Sequence, residues 1–131
     1  MILVDSSVLI GFLEGRDGPA VRRFHEVLER DIPFGLSPIT VLEVLQGAAT
    51  KRDFDRLHDY LGTQTIYEPR DRVESYAAAA KIFFDLRRRG MTVGSTVDCL
   101  IAQTAIDHGL HLLHDDSDFD RIAKVSTLKI W

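Results

Sequence analysis

Met1 to Val4 form an unbroken apolar run that stops on an acid, Asp5. Apolar side chains without alternation suit a short strand covered on both faces, as in a parallel sheet flanked by helices. "LHLL", Leu110 to Leu113, reads as a second short strand, interrupted by His111, and it leads into "HDDSD". Helical patterns fill the interval. Ser6 or Ser7 can cap a short helix reaching Glu14, and Pro19 suits the first position of a helix over 19–30. Ser37 followed by Pro38 starts a helix to about Thr50, and "KRDFDRLHDYL" sets Phe54, Leu57 and Leu61 on one face. A long helix over 71–89 closes at Gly90, and one from Thr96 to about His108 stops at Gly109. "IPFGLS", "TQTIYE" and "STLKIW" read as further strands. Strands alternating with helices predict an α/β fold with a mainly parallel central sheet.

A chain of 131 residues makes one domain, residues 1–131, large enough to need no disulfide. Cys99 is its only cysteine, which excludes an intrachain bridge and fits a reducing, cytoplasmic setting. No apolar stretch is long enough to span a membrane, and "MILVD" meets an acid without a basic leader. A net charge of −4 excludes a protein that coats nucleic acid by bulk electrostatics. An enzyme acting on a phosphodiester stays open, provided bound cations reverse the sign of its pocket.

Most acids sit in polar surroundings and read as solvated. Three do not. Asp5 ends "MILV", Glu43 interrupts "PITVLEVL", and Asp98 lies between Val97 and Cys99-Leu100-Ile101. A half-buried carboxylate is costly unless it is paired, hydrogen-bonded or bound to metal. Asp5 and Asp98 could instead serve helix starts, and Glu43 could pair with an arginine. Ligands of open α/β sheets bind beyond the carboxyl ends of the strands, which selects Asp5 and the acids after "LHLL". Carboxylates gathered there would repel without cations, and hard oxygen ligands suit Mg²⁺ or Mn²⁺. One or two such ions would support in-line phosphodiester displacement.

"MILVDSSVLIGFL", "SPITVLEVLQG", "TVDCLIAQTAIDHG" and "LLHDDSDFDRIA" together resemble the PIN-domain family, with the closest likeness to VapC-type toxins of bacterial toxin–antitoxin pairs. The resemblance covers the whole chain, with four motifs in order and spacing. It implies a PIN-like three-layer α/β/α fold and a Mg²⁺- or Mn²⁺-dependent endoribonuclease held inactive by a VapB-like antitoxin. It also implies a homodimer and a toxin–antitoxin hetero-oligomer. The family's acids fall on Asp5, Glu43, Asp98 and Asp116, with Asp118 matching a frequent fifth acid and Ser6 the small hydroxyl residue after the first. His114 departs from the threonine often found after "LL", so water positioning there passes to the imidazole or is lost.

His108, His111 and His114 tempt a zinc reading, but strand alternation turns 111 and 114 to opposite faces. Arg87, Arg88 and Arg89 complement a helix C-terminus, or hold RNA phosphate. "YAAAAKIFF" offers small residues for close packing, in the core or at a dimer interface. In "HDDSDFD", Ser117 and Asp120 have capping-box spacing, which makes Asp120 a helix-start residue. Spacing does not choose between Asp115 and Asp116. Two rival functions remain: an aspartyl-phosphate enzyme built on Asp5, and a non-catalytic binding module whose pocket grips a partner's basic side chain.

Overall fold

The computed structural model describes residues 1–131. Strand β1 (Ile2–Val4) leads into helix α1 (Ser6–Leu13), and α2 (Pro19–Glu29) returns the chain to β2 (Phe34–Leu36). Helices α3 (Pro38–Gln46) and α4 (Lys51–Leu61) precede β3 (Thr65–Ile66). Helices α5 (Glu74–Arg88) and α6 (Thr96–Asp107) then carry the chain to β4 (His111–Leu113), followed by α7 (Ser117–Val125) and β5 (Lys129–Ile130).

The five strands form one sheet in the order β3-β2-β1-β4-β5, with every pairing parallel. Parallel strands need long crossovers, and the helices between them supply those. The sheet carries a core on each face, which gives three layers. Ile2, Val4 and Leu113 pack with Val8, Phe24, Val44 and Leu61 from α1 to α4. Leu3 and Leu112 pack with Ile82, Leu86, Ile101, Phe119 and Ile122 from α5 to α7. Alternate residues of "MILV" thus serve opposite cores, and this is why the run contains no polar position.

Several boundaries are tighter than the sequence suggests. Helix α3 ends at Gln46 rather than near Thr50, because the chain must turn at Gly47 before Thr50 caps α4. Helix α5 begins at Glu74 rather than 71, since the Asp71 carboxylate accepts the N–H groups of Val73 and Glu74 and makes a turn. The capping-box reading of 117–120 is also replaced. Asp116 is the N-cap of α7, its Oδ1 accepting from Asp118 N–H at 2.9 Å, and Asp120 lies one turn inside.

The chain runs outward from β1 through β2 to β3, then crosses back to lay β4 on the other side of β1. The crevice beyond the carboxyl ends of β1 and β4 is therefore the switch point of the sheet, where ligands bind in open α/β folds. Where β2 meets β3, Gly35 leaves no room for a side chain. A Cβ there would lie 2.5 Å from Tyr67 Cε2 and 2.8 Å from the Thr65 carbonyl oxygen. Gly35→Ala is expected to destabilise the protein by about 1–3 kcal/mol. A lower urea midpoint at unchanged slope is the expected reading.

Candidate functional site

Two loops meet at the switch point and are stitched together. Asp5 N–H donates to the Leu113 carbonyl at 2.9 Å, extending the β1–β4 ladder by one residue. The Ser7 hydroxyl donates to Asp5 Oδ2 at 2.6 Å and accepts from Asp115 N–H at 3.0 Å. Ser7 N–H also donates to Asp5 Oδ2, so Asp5 caps α1 and is held on one oxygen. That leaves Oδ1 open at a position only 4% exposed.

Helix α6 brings Asp98 to the same end of the sheet. Ser95 caps α6, its hydroxyl accepting from Val97 N–H at 3.0 Å, and Asp98 follows in the first turn. Helix α7 brings Asp116 and Asp118, and α3 carries Glu43 on its inner side. The carboxylate oxygens of Asp98, Asp116 and Asp118 lie within 4.8 Å of one another. All five sequence-selected acids thus converge. Burial pushes Asp98 up to about 7, and the charges of Asp116, Asp5, Asp118 and Glu43 add to the shift. Glu43 is raised by burial and then by Asp5, opposed by the Ser6 hydroxyl beside it. Asp5 is raised by burial, against the hydrogen bonds from Ser7 and the nearby His114.

Asp115, the neighbour that spacing could not separate from Asp116, is exposed and touches the site only through its backbone N–H. The His114 side chain is buried, and its Nδ1 accepts from Asp116 N–H at 3.1 Å. The ring proton therefore sits on Nε2, which has no aligned acceptor; Asp120 Oδ1 lies off-line at 3.3 Å. His108 and His111 go elsewhere, to the Glu68 carbonyl and the Trp131 ring, so no histidine cluster forms. Arg87 and Arg88 lie over the rings of Phe83 and Phe84 on α5, and neither pairs with any of the five acids. Cys99 is buried, and burial with the charges of Asp98 and Asp118 pushes its thiol up to about 11, which excludes a thiolate nucleophile.

Sequence reasoning offered Ser7 only as a cap of the first helix, a role that Asp5 takes, and did not single out Arg121. Ser7 stands two residues after Asp5, the spacing at which an aspartate side chain accepts from a backbone N–H, and its hydroxyl reaches the same oxygen. Arg121 follows Asp118 at the (i, i+3) spacing of helical ion pairs and binds its Oδ1 at 2.7 Å.

The donor set is all carboxylate, part-buried and mutually repelling, which suits a hard divalent cation. A soft-metal site would need thiolates or imidazoles that the cluster lacks.

The chain matches the family model of the PIN domain over residues 2–125. It is 32% identical over 133 residues to Ribonuclease VapC11 of Mycobacterium tuberculosis, covering 98% of this chain and 96% of that protein. It is 33% identical over 128 residues to Ribonuclease VapC51 of the same species, covering 95% and 86%. Among solved structures it is similar to VapBC2 from Rickettsia felis bound to a promoter DNA fragment, with TM-score 0.75, 17% identity and coverage of 100% and 98%. A toxin–antitoxin complex from Klebsiella pneumoniae is similar at TM-score 0.66 and 27% identity, covering 99% and 100%.

A carboxyl with a raised folded pKa binds more protons in the folded protein, so its contribution is present at low pH and lost as pH rises. For Asp98 that window runs from about 4, the ordinary value, to about 7. Asp5 and Glu43 act in the same direction. In EDTA, the protein is expected to have a lower urea midpoint at pH 8 than at pH 5.5. Asp98→Asn should shrink that difference.

Proposed function

The chain belongs to the PIN-domain family, and from that premise we propose that residues 1–131 act as one metal-dependent endoribonuclease domain of the VapC type, restrained by a VapB-like antitoxin. The observation that carries the reading is the meeting of Asp5, Glu43, Asp98 and Asp116, with Asp118 beside them, at the switch point of the sheet. Burial, and then the negative charge crowded around it, pushes Asp98 above the ordinary carboxylate range. The two ribonucleases at 32–33% identity over nearly the whole chain support the substrate class.

In this reading Asp5, Glu43, Asp98 and Asp116 hold Mg²⁺ or Mn²⁺ through their open oxygens. The cation, when bound, supplies positive charge to the phosphodiester and acidifies the attacking water. The chain's own part is to fix those oxygens. Ser7 holds Asp5, the backbone N–H of Asp118 holds Asp116, and Ser6 lies beside Glu43. His114 acts through Nδ1, which accepts the Asp116 N–H and so helps orient that carboxylate, while its Nε2 has no solvent-exposed surface. Arg87 and Arg88 take no place at the reacting centre and serve RNA backbone farther out.

For the antitoxin, support comes from an apolar groove of about 780 Å³ between α1, α2, α3 and α4, lined by Ile10, Leu13, Leu28, Val44, Leu57 and Tyr60. Exposed apolar surface of this kind marks partner sites. Val73, Tyr76 and Phe84 expose a further apolar stripe along α5, suited to a second copy of the chain. No helix is long and apolar enough to cross a membrane.

The direct test is cleavage of RNA by the protein freed of any partner. Cutting is expected with Mg²⁺ or Mn²⁺, none with EDTA, and a loss of about 10³-fold or more in Asp5→Ala. Undiminished cutting by Asp5→Ala would sink the assignment, while a phosphoaspartate trapped at Asp5 would favour the rival enzyme. Leu13→Glu with Tyr60→Glu is expected to abolish co-purification with the antitoxin while leaving cleavage intact.

A further inference from the structure

The state of each carboxylate oxygen separates the five acids. Asp98 accepts no hydrogen bond, and Glu43 is opposed only by Ser6. Asp5 is held on Oδ2 and Asp116 on Oδ1, leaving one oxygen open on each. Asp118 is different. Its Oδ2 accepts from Gly94 N–H at 2.8 Å and its Oδ1 from Arg121 Nη1 at 2.7 Å. Its side chain is only 18% exposed.

We propose that Asp118 is a positioning residue rather than a metal ligand: it clamps the 91–95 loop and holds Arg121 at the rim of the pocket, where the guanidinium takes an RNA phosphate. This rests on the ribonuclease reading above.

The clamp has a clear mechanical route. Gly94 precedes Ser95, the residue that caps α6, and Asp98 N–H donates to the Ser95 carbonyl at 3.3 Å. Fixing Gly94 to α7 therefore fixes the start of α6, and with it Asp98, relative to Asp116. Turning Asp118 towards a cation would free the Gly94 N–H or the guanidinium, although four other acids already offer open oxygens.

Arg121 is the one arginine or lysine whose ion pair involves any of the five acids. Only Nη1 is engaged, with Ser117 Oγ a longer contact at 3.4 Å, and 41% of the side chain is exposed. The Nε–Nη2 edge stays free for bidentate contact with a phosphate, beside carboxylates that would otherwise repel it. Asp118 and Arg121 together are electrically neutral, so the pair can serve geometry without altering the charge a cation meets.

That neutrality gives the test. Asp118→Asn with Arg121→Gln removes the pair and keeps the net charge. Titration of the full chain with Mn²⁺ alone is expected to give an affinity within about threefold of the starting protein, against a loss of tenfold or more for Asp98→Asn. A tenfold loss in the double variant overturns the anchoring role. Should that variant unfold, the unsubstituted protein still decides. Gly94 amide protection from hydrogen exchange is expected to survive Mg²⁺ saturation, and its loss would show Asp118 moving to the ion.

For the phosphate contact, salt titrations of single-stranded RNA binding are made in an Asp5→Ala background. Arg121→Gln is expected to flatten log K against log salt by roughly 0.7, a change that a purely structural arginine would not produce. An unchanged slope overturns the contact. A starting protein that neither binds Mn²⁺ nor cuts RNA overturns the ribonuclease reading, and this inference with it.

Discussion

The pairing of β1 with β4 is the constraint on which the rest depends. Neither strand exceeds three residues, yet both are central, and their parallel register sends both carboxyl ends into one crevice. Asp5 extends the ladder onto Leu113, and Ser7 ties the first loop to the backbone of Asp115. Slipping the register by one residue would turn Ile2 and Val4 towards the wrong core and separate Asp5 from Asp116. Packing and chemistry are thus fixed by the same few hydrogen bonds.

Carboxylates placed this close repel, and the fold offsets that repulsion in a patterned way. Asp5 and Asp116 cap α1 and α7, while Asp98 lies in the first turn of α6. Three helix N-termini therefore point their partial positive charge at the cluster, each favouring an anion modestly. Glu43, the sixth residue of α3, has no such help. Asp118 has the only full counter-charge, from Arg121. What remains is a surplus of negative charge centred on Asp98, and a divalent cation fits that surplus.

Much of this could be read in the sequence. The unbroken apolar run "MILV" reported a strand buried on two faces, the proline and serine signals placed most helix starts to within a residue, and acids in apolar company picked out Asp5, Glu43 and Asp98. These signals are strong because each reflects a local cost: an unpaired carboxylate in an apolar stretch, or a helix start without a cap. The failures also share a cause. The capping-box pattern at Ser117 and Asp120 was real as spacing, but Asp116 sits one residue earlier with its oxygen already aimed at Asp118 N–H. Local pattern could not weigh one cap against the other.

By itself the sequence determined which segments are buried, their order, and which acids pay a penalty that only a partner or a cation relieves, because periodicity and composition follow from burial. It could not determine how "HDDSDFD" divides. Asp116 faces the crevice, Asp115 faces solvent, Asp118 is engaged by Gly94 and Arg121, and Asp120 lies off-line of the buried His114 ring. Those assignments depend on the direction in which the chain leaves β4 and on residues 24 and more positions away, so only the packing of α6 and α7 against the sheet decided them.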